Sequence, residues 1–200
     1  NNATQFRPAW APYRLAAVCP GDPSFQEFML YYGEQFLREC GVPGLYTDTD
    51  CVMACDNPYH GHRFTDQFGK TGVTYTILSK RSFAKRMAAI VRSFPDERRW
   101  WMTHSHAKLV PPVHGFADFW LPGEENTHQL RGNKWWYIDT LDDVAWRVEY
   151  AGQSSGVVHE FLPEFIRGTA DKTDADGPQP SESLLAMCAV TDVNTTGAYM

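Results

Sequence analysis

Apolar and polar positions follow two periods along this chain. Short, largely apolar runs end in Pro, Gly or acidic residues, which is typical of buried strands. Between them, apolar residues recur every three or four positions, which is the period of a helix. The pattern therefore predicts strands and helices in alternation. The predicted strands are residues 13–19, the run that follows Pro43 and ends at Asp48, and residues 99–104, 114–121 and 156–162; the predicted helices are residues 25–40, 77–94 and 139–150, while residues 184–190 fit either type.

The first predicted helix has clear signals at both ends. Ser24 is the expected N-cap, Glu27 lies three residues later as in a capping box, and Gly41 ends the helix. One apolar face is expected to pack against the core, and its members are Phe28, Met29, Tyr32, Phe36 and Leu37. With a strand on either side, this helix predicts a strand, helix, strand unit.

Three segments show neither period. Residues 1–12 are expected to form an irregular lead-in, and residues 168–182 a polar loop. Residues 53–72 are rich in Gly, Asp, Asn, Pro and His and are predicted to form one long loop. Long loops in compact domains commonly serve as lids or binding loops. We therefore expect this third segment to contribute to function.

The alternation of strand and helix predicts a parallel α/β architecture. The chain contains five or six predicted strands, whereas a complete (β/α)8 barrel takes about 250 residues. We therefore expect a single domain over residues 1–200 that forms an incomplete, TIM-barrel-like sheet and belongs to a longer chain.

Composition narrows the classes of function. The formal charge of -6 argues against a nucleic-acid binder, and no apolar run is long enough to span a bilayer. Five Cys form an odd set without regular spacing, which does not describe a disulfide scaffold. Aromatic residues make up 14% of the chain, including seven Trp, and flat aromatic rings are common in carbohydrate-binding clefts. The aromatic content therefore mildly favours a carbohydrate ligand.

Two acidic residues follow the second predicted strand directly. Asp48 and Asp50 are separated by one residue, so Tyr46, Asp48 and Asp50 would share one face if the strand continued. In parallel sheets, binding and catalytic groups lie at the carboxyl ends of strands. Asp48 is the better candidate for catalysis, while a turn-capping role for Asp50 is equally consistent with the sequence.

Longer motifs carry a resemblance to a known family. The run CPGDPSFQEFMLYYGEQFLRECGVPGLYTDTD is followed by CDNPYHGH, WWMTHSHA, GFADFWLPGEE and GVVHEFLPEF. Together these resemble uncharacterised glycoside-hydrolase-like proteins related to glycoside hydrolase family 123. The resemblance implies about strands 3 to 8 of a catalytic barrel, a glycosidase activity, and a secreted or periplasmic location. Family 123 uses an adjacent Asp-Glu pair, whereas this chain has Asp48-Thr49-Asp50, so only the fold and the reaction class carry over.

Glycosidic bond cleavage uses two carboxyl groups, one as a general acid and one as a nucleophile or base. Asp48 is the predicted nucleophile or base. Glu124 is the predicted acid, because the turn at Pro122-Gly123 would direct it over the mouth of the barrel and a Gly-Glu occurs there in the similar proteins. A solvated loop acid is the alternative for Glu124. The other acids considered are Glu125, Glu160 and Glu164.

Several further side chains are candidates for substrate binding. His104 and His106 end one predicted strand, and His114 and His159 lie near the ends of others, where each could bind sugar hydroxyls. The substrate-binding set comprises Tyr46, Asp50, His60, His104, Asp118, Trp120, Glu125 and Glu160. Among the other Trp residues, 100, 101, 135 and 136 are expected to be mostly in the core.

The loop also contains a candidate metal site. Cys51, Cys55, His60 and His62 offer four ligands that suit a tetrahedral zinc ion, although their spacing is not that of a standard zinc finger. Such an ion would stiffen the loop rather than perform chemistry. A loop with free thiols, in which His60 contacts substrate, is the alternative.

Three functions are consistent with these residues. The first is a glycoside hydrolase that needs no cofactor and acts on a poly- or oligosaccharide through Asp48 and Glu124. The second is a carbohydrate-binding barrel without catalysis. The third is a metal-dependent hydrolase in which His104, His106 and Asp48 bind a zinc ion.

Overall fold

The computed structural model describes residues 4–6, 15–95, 98–105, 109–129, 141–151, 156–163 and 179–196. Its elements alternate in the order that the apolar pattern predicts, with additional short strands. The strands are β1 Thr4–Phe6, β2 Leu15–Ala17, β3 Gly44–Thr47, β4 Ala54–Cys55, β5 Arg63–Thr65, β6 Thr71–Tyr75, β7 Trp100–His104, β8 Phe119–Leu121, β9 Val158–Phe161 and β10 Asn194–Thr195. The helices are α1 Pro23–Cys40, α2 Ile77–Val91, α3 Pro111–His114, α4 Asp143–Glu149 and α5 Gln179–Thr191, with a 3-10 helix at Glu124–Gln129.

Five strands form one sheet in the order β10-β9-β8-β7-β3. The pairings of β7 with β8, β8 with β9 and β9 with β10 are parallel, with His104 opposite Leu121 and Trp120 opposite His159. Each strand therefore lies beside its neighbour in chain order. The prediction of a parallel α/β architecture is confirmed. Within the described residues, the sheet does not close into a barrel.

The chain forms two compact units. The first comprises residues 1–45, 52–100 and 110–116, and the second comprises residues 46–51, 101–109 and 117–200. The expectation of one domain over residues 1–200 stays a prediction, because compactness alone does not define an independently folding domain.

Helix α1 begins and ends at residues with defined local roles. Asp22, rather than the predicted Ser24, is the N-cap, and its carboxylate accepts a hydrogen bond from the backbone amide three residues later at 3.0 Å. Glu27 does not complete a capping box, because its carboxylate pairs with Arg86 on α2. Gly41 ends the helix at φ 60°, as predicted, in the left-handed conformation that glycine adopts readily.

The predicted buried face of α1 is only partly correct. Leu37 is buried, but Phe28, Tyr32 and Phe36 each leave about half of their surface exposed, at 56%, 56% and 48%. The face that carries Gly33 is directed towards α2, since a Cβ there would lie 3.5 Å from Met87. The aromatic residues lie on other faces of α1.

Residues 53–72 are not one long loop, as was predicted. They contain most of a three-stranded antiparallel sheet in the order β4-β6-β5. The turn between β5 and β6 is held by Asp66, whose carboxylate accepts hydrogen bonds from the amides of Phe68 and Lys70, both at 2.9 Å. The strands are too short for the alternation of apolar and polar residues to be visible in the sequence.

Two other segments also differ from expectation. Strand β2 pairs antiparallel with β1, so it forms no parallel unit with β3, and the lead-in contains a strand. Residues 111–114 form α3, and the strand predicted at 114–121 is confined to β8.

The structure decides between the two predictions for residues 184–190, which belong to α5. The predicted loop at 168–182 lies largely outside the described residues.

The second unit has an aromatic core. Trp146 and Tyr150 at α4 pack against Phe161 of β9, with ring centroids 4.9 Å from Phe161 in each case. Leu184 and Cys188 of α5 complete the cluster and are buried. This packing covers the β9 end of the sheet. In the described part of the chain, no helix is both long enough and apolar enough to cross a membrane.

Substitutions at two glycines of the first unit are expected to change the free energy of unfolding in opposite directions. A Cβ at Gly44 would lie 2.1 Å from the Trp100 carbonyl oxygen, and backbone cannot move away easily. We expect Gly44→Ala to lower the free energy of unfolding by about 2 kcal/mol or more. Gly33→Ala should raise it by up to about 1 kcal/mol, since its Cβ would make ordinary contacts inside a helix. Urea denaturation followed by circular dichroism measures both, and equal effects would contradict the packing described.

Candidate functional site

The end of β3 directs its two aspartates to different environments. Thr49 has φ 53°, a left-handed conformation that is rare for a β-branched residue and that interrupts the strand. The Asp48 side chain is 62% exposed and its Oδ1 accepts a hydrogen bond from the Thr49 amide at 2.7 Å. Asp50 is only 5% exposed. The condition for the two carboxylates to share a face is therefore not met, because the strand does not continue through Thr49.

Asp50 joins the end of β3 to β7. Its Oδ2 accepts a hydrogen bond from the Thr103 hydroxyl at 2.6 Å, and its backbone amide donates to the His104 carbonyl at 2.7 Å. The Thr47 hydroxyl lies 3.5 Å from the same carboxylate oxygen and accepts a bond from the Trp101 indole at 3.0 Å. A carboxylate used in this way supports the structural interpretation of Asp50.

His104 is held at the carboxyl end of β7. It is 1% exposed, and its Nδ1 lies 2.6 Å from the Leu121 carbonyl oxygen of β8. Because a carbonyl only accepts, Nδ1 must carry a proton and donate it. The ring is therefore fixed with Nε2 directed towards Glu124, whose Oε2 is 2.7 Å away.

The contact between His104 and Glu124 must contain a proton. With Nδ1 already protonated, Nε2 of a neutral ring is an acceptor, and an ionised carboxylate is also an acceptor. The separation of 2.7 Å is that of a hydrogen bond, so the pair is either imidazolium with carboxylate or imidazole with carboxylic acid. Asp48 Oδ1 lies 3.9 Å from the same Nε2. Two carboxyl groups thus lie within 3.9 Å of His104 Nε2.

The turn before Glu124 places its carboxylate beside His104. Gly123 has φ 120°, and a Cβ there would lie 2.5 Å from the Leu162 carbonyl oxygen, so only glycine fits without strain. Glu124 begins the 3-10 helix immediately after it, and its side chain is only 18% exposed. Glu124 is therefore a partly buried, hydrogen-bonded acid rather than a solvated one.

Glu125 supports this turn. Its Oε2 accepts from the Gly123 amide at 2.8 Å, and its Oε1 accepts from the Tyr150 hydroxyl at 3.0 Å. Asn126 donates to the same hydroxyl oxygen at 3.0 Å. Burial raises the pKa of Tyr150, and the negative charge of Glu125 raises it further. Both oxygens of Glu125 are thus engaged in holding the turn, which differs from the predicted substrate contact.

Tyr46 and Trp120, the two predicted aromatic contacts with substrate, differ in their exposure to solvent. Tyr46 leaves 52% of its surface exposed, and its ring centroid lies 6.4 Å from that of His104. Trp120 is only 2% exposed and packs edge to face on His159, so it offers no open platform. Burial lowers the pKa of His159, whose Nδ1 lies 3.3 Å from the Tyr150 carbonyl oxygen. Only Tyr46 is both accessible and close to His104.

Asp118 and Glu160 do not join the group around His104. Asp118 precedes β8, at the amino end of the strand, where its carboxylate accepts a hydrogen bond from the Trp101 amide at 2.9 Å. That is the end of the sheet opposite to the Leu121 carbonyl. Glu160 lies within β9, and burial raises the pKa of its carboxyl. His114, in α3, is buried, and its Nδ1 accepts from the Val110 amide.

A separate Cys and His cluster lies in the first unit. Its members are Cys19, Cys55, His60 and His62, and their ligand atoms all lie within 4.8 Å of one another. Three of the four predicted ligands are present, but Cys51 is replaced by Cys19. Cys51 instead contacts the Ser105 hydroxyl at 3.5 Å. Burial raises the pKa of the Cys19 thiol to about 11, and the Cys55 thiol adds to the shift.

Sequence reasoning missed Cys19 and the role of Thr103. The turn at Cys19-Pro20-Gly21 was visible in the sequence, but the approach of Gly21 to His62, which brings Cys19 to the cluster, was not. No sequence pattern indicated the role of Thr103, because its hydrogen bond is to Asp50, which follows a different strand. The predicted residues His106, Glu164, Trp135 and Trp136 lie outside the described residues.

No protein-family model, curated protein or solved structure matches this chain. The geometry of the site itself is therefore the basis for its chemistry. The group of Asp48, His104 and Glu124 can hold a proton and present two carboxylates at the edge of the sheet, next to an accessible Tyr46 ring.

The two aspartates should differ in their effect on stability. Asp50→Ala should lower the free energy of unfolding by about 1–3 kcal/mol, because the buried Thr103 hydroxyl loses its acceptor. Asp48→Ala should change it by less than about 1 kcal/mol, since its carboxylate is 62% exposed and water can replace its hydrogen bond from the Thr49 amide. Urea denaturation measures both. A larger loss for Asp48→Ala would show that the roles are reversed.

Tyr150 should make stability depend on alkaline pH. Above about pH 10 the unfolded chain releases the Tyr150 proton while the folded chain keeps it, so stability falls as the pH rises. We expect Tyr150→Phe to reduce the slope of this fall by up to about 1.4 kcal/mol per pH unit. Urea denaturation between pH 9 and 11 measures the slope. Tyr59→Phe is the matched control, because Tyr59 is 87% exposed and should leave the slope unchanged.

Proposed function

We propose that this protein is a glycoside hydrolase that cleaves glycosidic bonds in a poly- or oligosaccharide, with Asp48 as nucleophile or base and Glu124 as general acid. One observation carries the proposal. The carboxylates of Asp48 and Glu124 lie 3.9 and 2.7 Å from the same atom, His104 Nε2, at the carboxyl edge of a parallel sheet. Paired carboxyl groups with different environments are the requirement of this reaction.

The two carboxylates suit different roles. Glu124 is partly buried and shares a proton with His104, so it can deliver that proton to the leaving oxygen of a glycosidic bond. Asp48 is exposed and can reach a substrate at the mouth of the sheet. His104, fixed by the Leu121 carbonyl, is a positioning residue that holds the proton on Glu124.

The contacts with His104 limit the separation of the two carboxylates. The Asp48 and Glu124 oxygens can be no farther apart than the sum of their distances to His104 Nε2. Retaining enzymes place the carboxyl groups about 5–5.5 Å apart, and inverting enzymes about 6.5–9.5 Å. The upper bound includes the first range and reaches the lower edge of the second.

Tyr46 is the proposed contact for a sugar ring. It is half exposed, and its ring lies beside His104 rather than in the core. Aromatic rings of this kind stack on the apolar faces of sugars. The predicted contacts from Asp50 and Glu125 are not part of the proposal, since both carboxylates hold the backbone in place.

We also propose that the sheet is part of an incomplete (β/α)8 barrel in a longer, multidomain chain. The parallel strands lie in chain order, as barrel strands do. Val158 of the sheet is 43% exposed, whereas parallel sheets are normally covered on both faces. The rest of a complete barrel would cover such a position.

The metal-dependent alternative has weaker support. It requires His104 to bind a zinc ion, yet the two ring nitrogens of His104 are within hydrogen-bond distance of the Leu121 carbonyl and Glu124. A ligand nitrogen at Nε2 would have to give up its bond to Glu124. The acid pair needs no such rearrangement.

Leaving-group dependence separates the roles of the two acids. We expect Glu124→Gln to lower kcat/KM by about 10²–10⁴-fold on oligosaccharides but little on dinitrophenyl glycosides, because an activated leaving group needs no proton. Asp48→Asn should lower kcat/KM by at least about a thousandfold on both substrates. A panel of aryl glycosides and oligosaccharides, assayed by released chromophore and reducing ends, measures these effects.

Glu34→Gln on α1 is the control, since Glu34 pairs with Arg38 at the surface and should leave the activity unchanged. If Asp48→Asn and Glu124→Gln both retain wild-type activity on both substrates, the assignment is wrong. If the wild-type protein binds oligosaccharides without hydrolysing any of them, a non-catalytic carbohydrate-binding barrel replaces the proposal.

A further inference from the structure

Four side chains of the first unit converge without any role in the acid pair. They are Cys19, Cys55, His60 and His62, and their ligand atoms all lie within 4.8 Å of one another. Cys19 Sγ is 3.4 Å from His62 Nδ1, and Cys55 Sγ is 3.4 Å from His60 Nδ1. A tetrahedral zinc ion with Zn–S of about 2.3 Å and Zn–N of about 2.0–2.1 Å separates sulfur from nitrogen by about 3.5 Å. These two sulfur–nitrogen separations match that geometry.

The backbone around Cys19 is shaped to bring the ligands together. Cys19 opens a tight turn in which the Asp22 amide donates to the Cys19 carbonyl at 3.1 Å. A Cβ at Gly21 would lie 2.5 Å from His62 Cε1, so a larger residue would displace the imidazole. Glycine at this position allows the turn and His62 to approach closely. Cys55 is buried at the end of β4.

A second set of contacts orients His60. Its Nδ1 faces Cys55, while its Nε2 lies 3.5 Å from Asp22 Oδ2 and 3.1 Å from Asn57 Nδ2. Metal-binding histidines commonly offer one ring nitrogen to the metal and donate the other N–H to a carboxylate or a carbonyl, which fixes the tautomer. For His60 the Asp22 carboxylate is the group that can accept the Nε2 proton, because Asn57 Nδ2 only donates.

We propose that Cys19, Cys55, His60 and His62 bind one Zn²⁺ ion in a closed, structural site. Two thiolates and two imidazoles are a donor set that zinc prefers, and four protein ligands leave no open position for catalysis. Two thiolates balance the charge of the ion, so binding releases two thiol protons to solvent. The proposal is independent of the glycosidase activity.

The ion would join the chain before α1 to the small sheet of the first unit. Cys19 lies four residues before the start of α1, whereas the other three ligands belong to residues 55–62, at the β4-β6-β5 sheet. That sheet has short strands, and all three residues of β5 are exposed. Small elements that bury little apolar surface commonly depend on a metal for stability. The zinc would supply that stability.

Zinc content in matched variants tests the ligand set. Full-length protein, purified under reducing conditions and supplied with zinc chloride, should contain about one zinc per chain by plasma mass spectrometry. Cys19→Ser should lose most of this zinc, whereas Cys51→Ser should keep it, because Cys51 contacts Ser105 instead. If Cys51→Ser loses the zinc and Cys19→Ser keeps it, the assignment of Cys19 is wrong.

Cobalt reports the geometry in the wild-type protein, which avoids any dependence on the folding of a variant. Co²⁺ in place of zinc should give intense visible bands typical of tetrahedral sites and a thiolate charge-transfer band in the near ultraviolet. Weak bands without charge transfer would mean octahedral binding without cysteine, and would overturn the proposal.

Thiol alkylation of the wild-type protein gives a second variant-free test. With zinc bound, Cys19 and Cys55 should resist alkylation and become reactive when a chelator is added, whereas the exposed Cys40 should react under both conditions. No zinc uptake by the fully reduced protein, or a Cys19–Cys55 disulfide that reforms in the presence of zinc, would refute the site.

Discussion

The bond between His104 Nδ1 and the Leu121 carbonyl is the interaction on which the candidate site depends. The last carbonyl of a short parallel strand needs a donor, and here a side chain of the neighbouring strand supplies one. That bond settles which ring nitrogen carries a proton and where the other nitrogen points. The position of Glu124, and the proximity of Asp48, have meaning for proton transfer only because this ring cannot turn.

The regular elements could be predicted because their signals are local. Helices α1 and α2 are long enough for the helical period to be visible, and the strand ends that carry Asp48, His104 and Glu124 are marked by the transition from apolar to polar residues. The direction of individual side chains could not be predicted in the same way. The face that α1 buries depends on its packing against α2, a helix more than forty residues away from Gly33 in the sequence, and no periodicity reports that contact.

The same limit applies to the two clusters. Cys55, His60 and His62 lie within eight residues, so their proximity was visible in the sequence, whereas Cys19 joins them only through the folded chain. Asp50 and Trp120 looked like binding residues because acidic and aromatic side chains near strand ends commonly are. Their contacts with Thr103 and His159 turn them into parts of the scaffold, and those partners come from other strands.

Thr49 shows how the scaffold and the site compete for one position. A β-branched residue such as Thr49 rarely adopts φ 53°, and Gly or Asn would adopt this conformation with less strain. Sequence variation that optimised folding alone would replace it. A library of substitutions at position 49, selected separately for solubility and for turnover, would therefore measure how far fitness at this turn is set by the orientation of Asp48 rather than by the ease of folding.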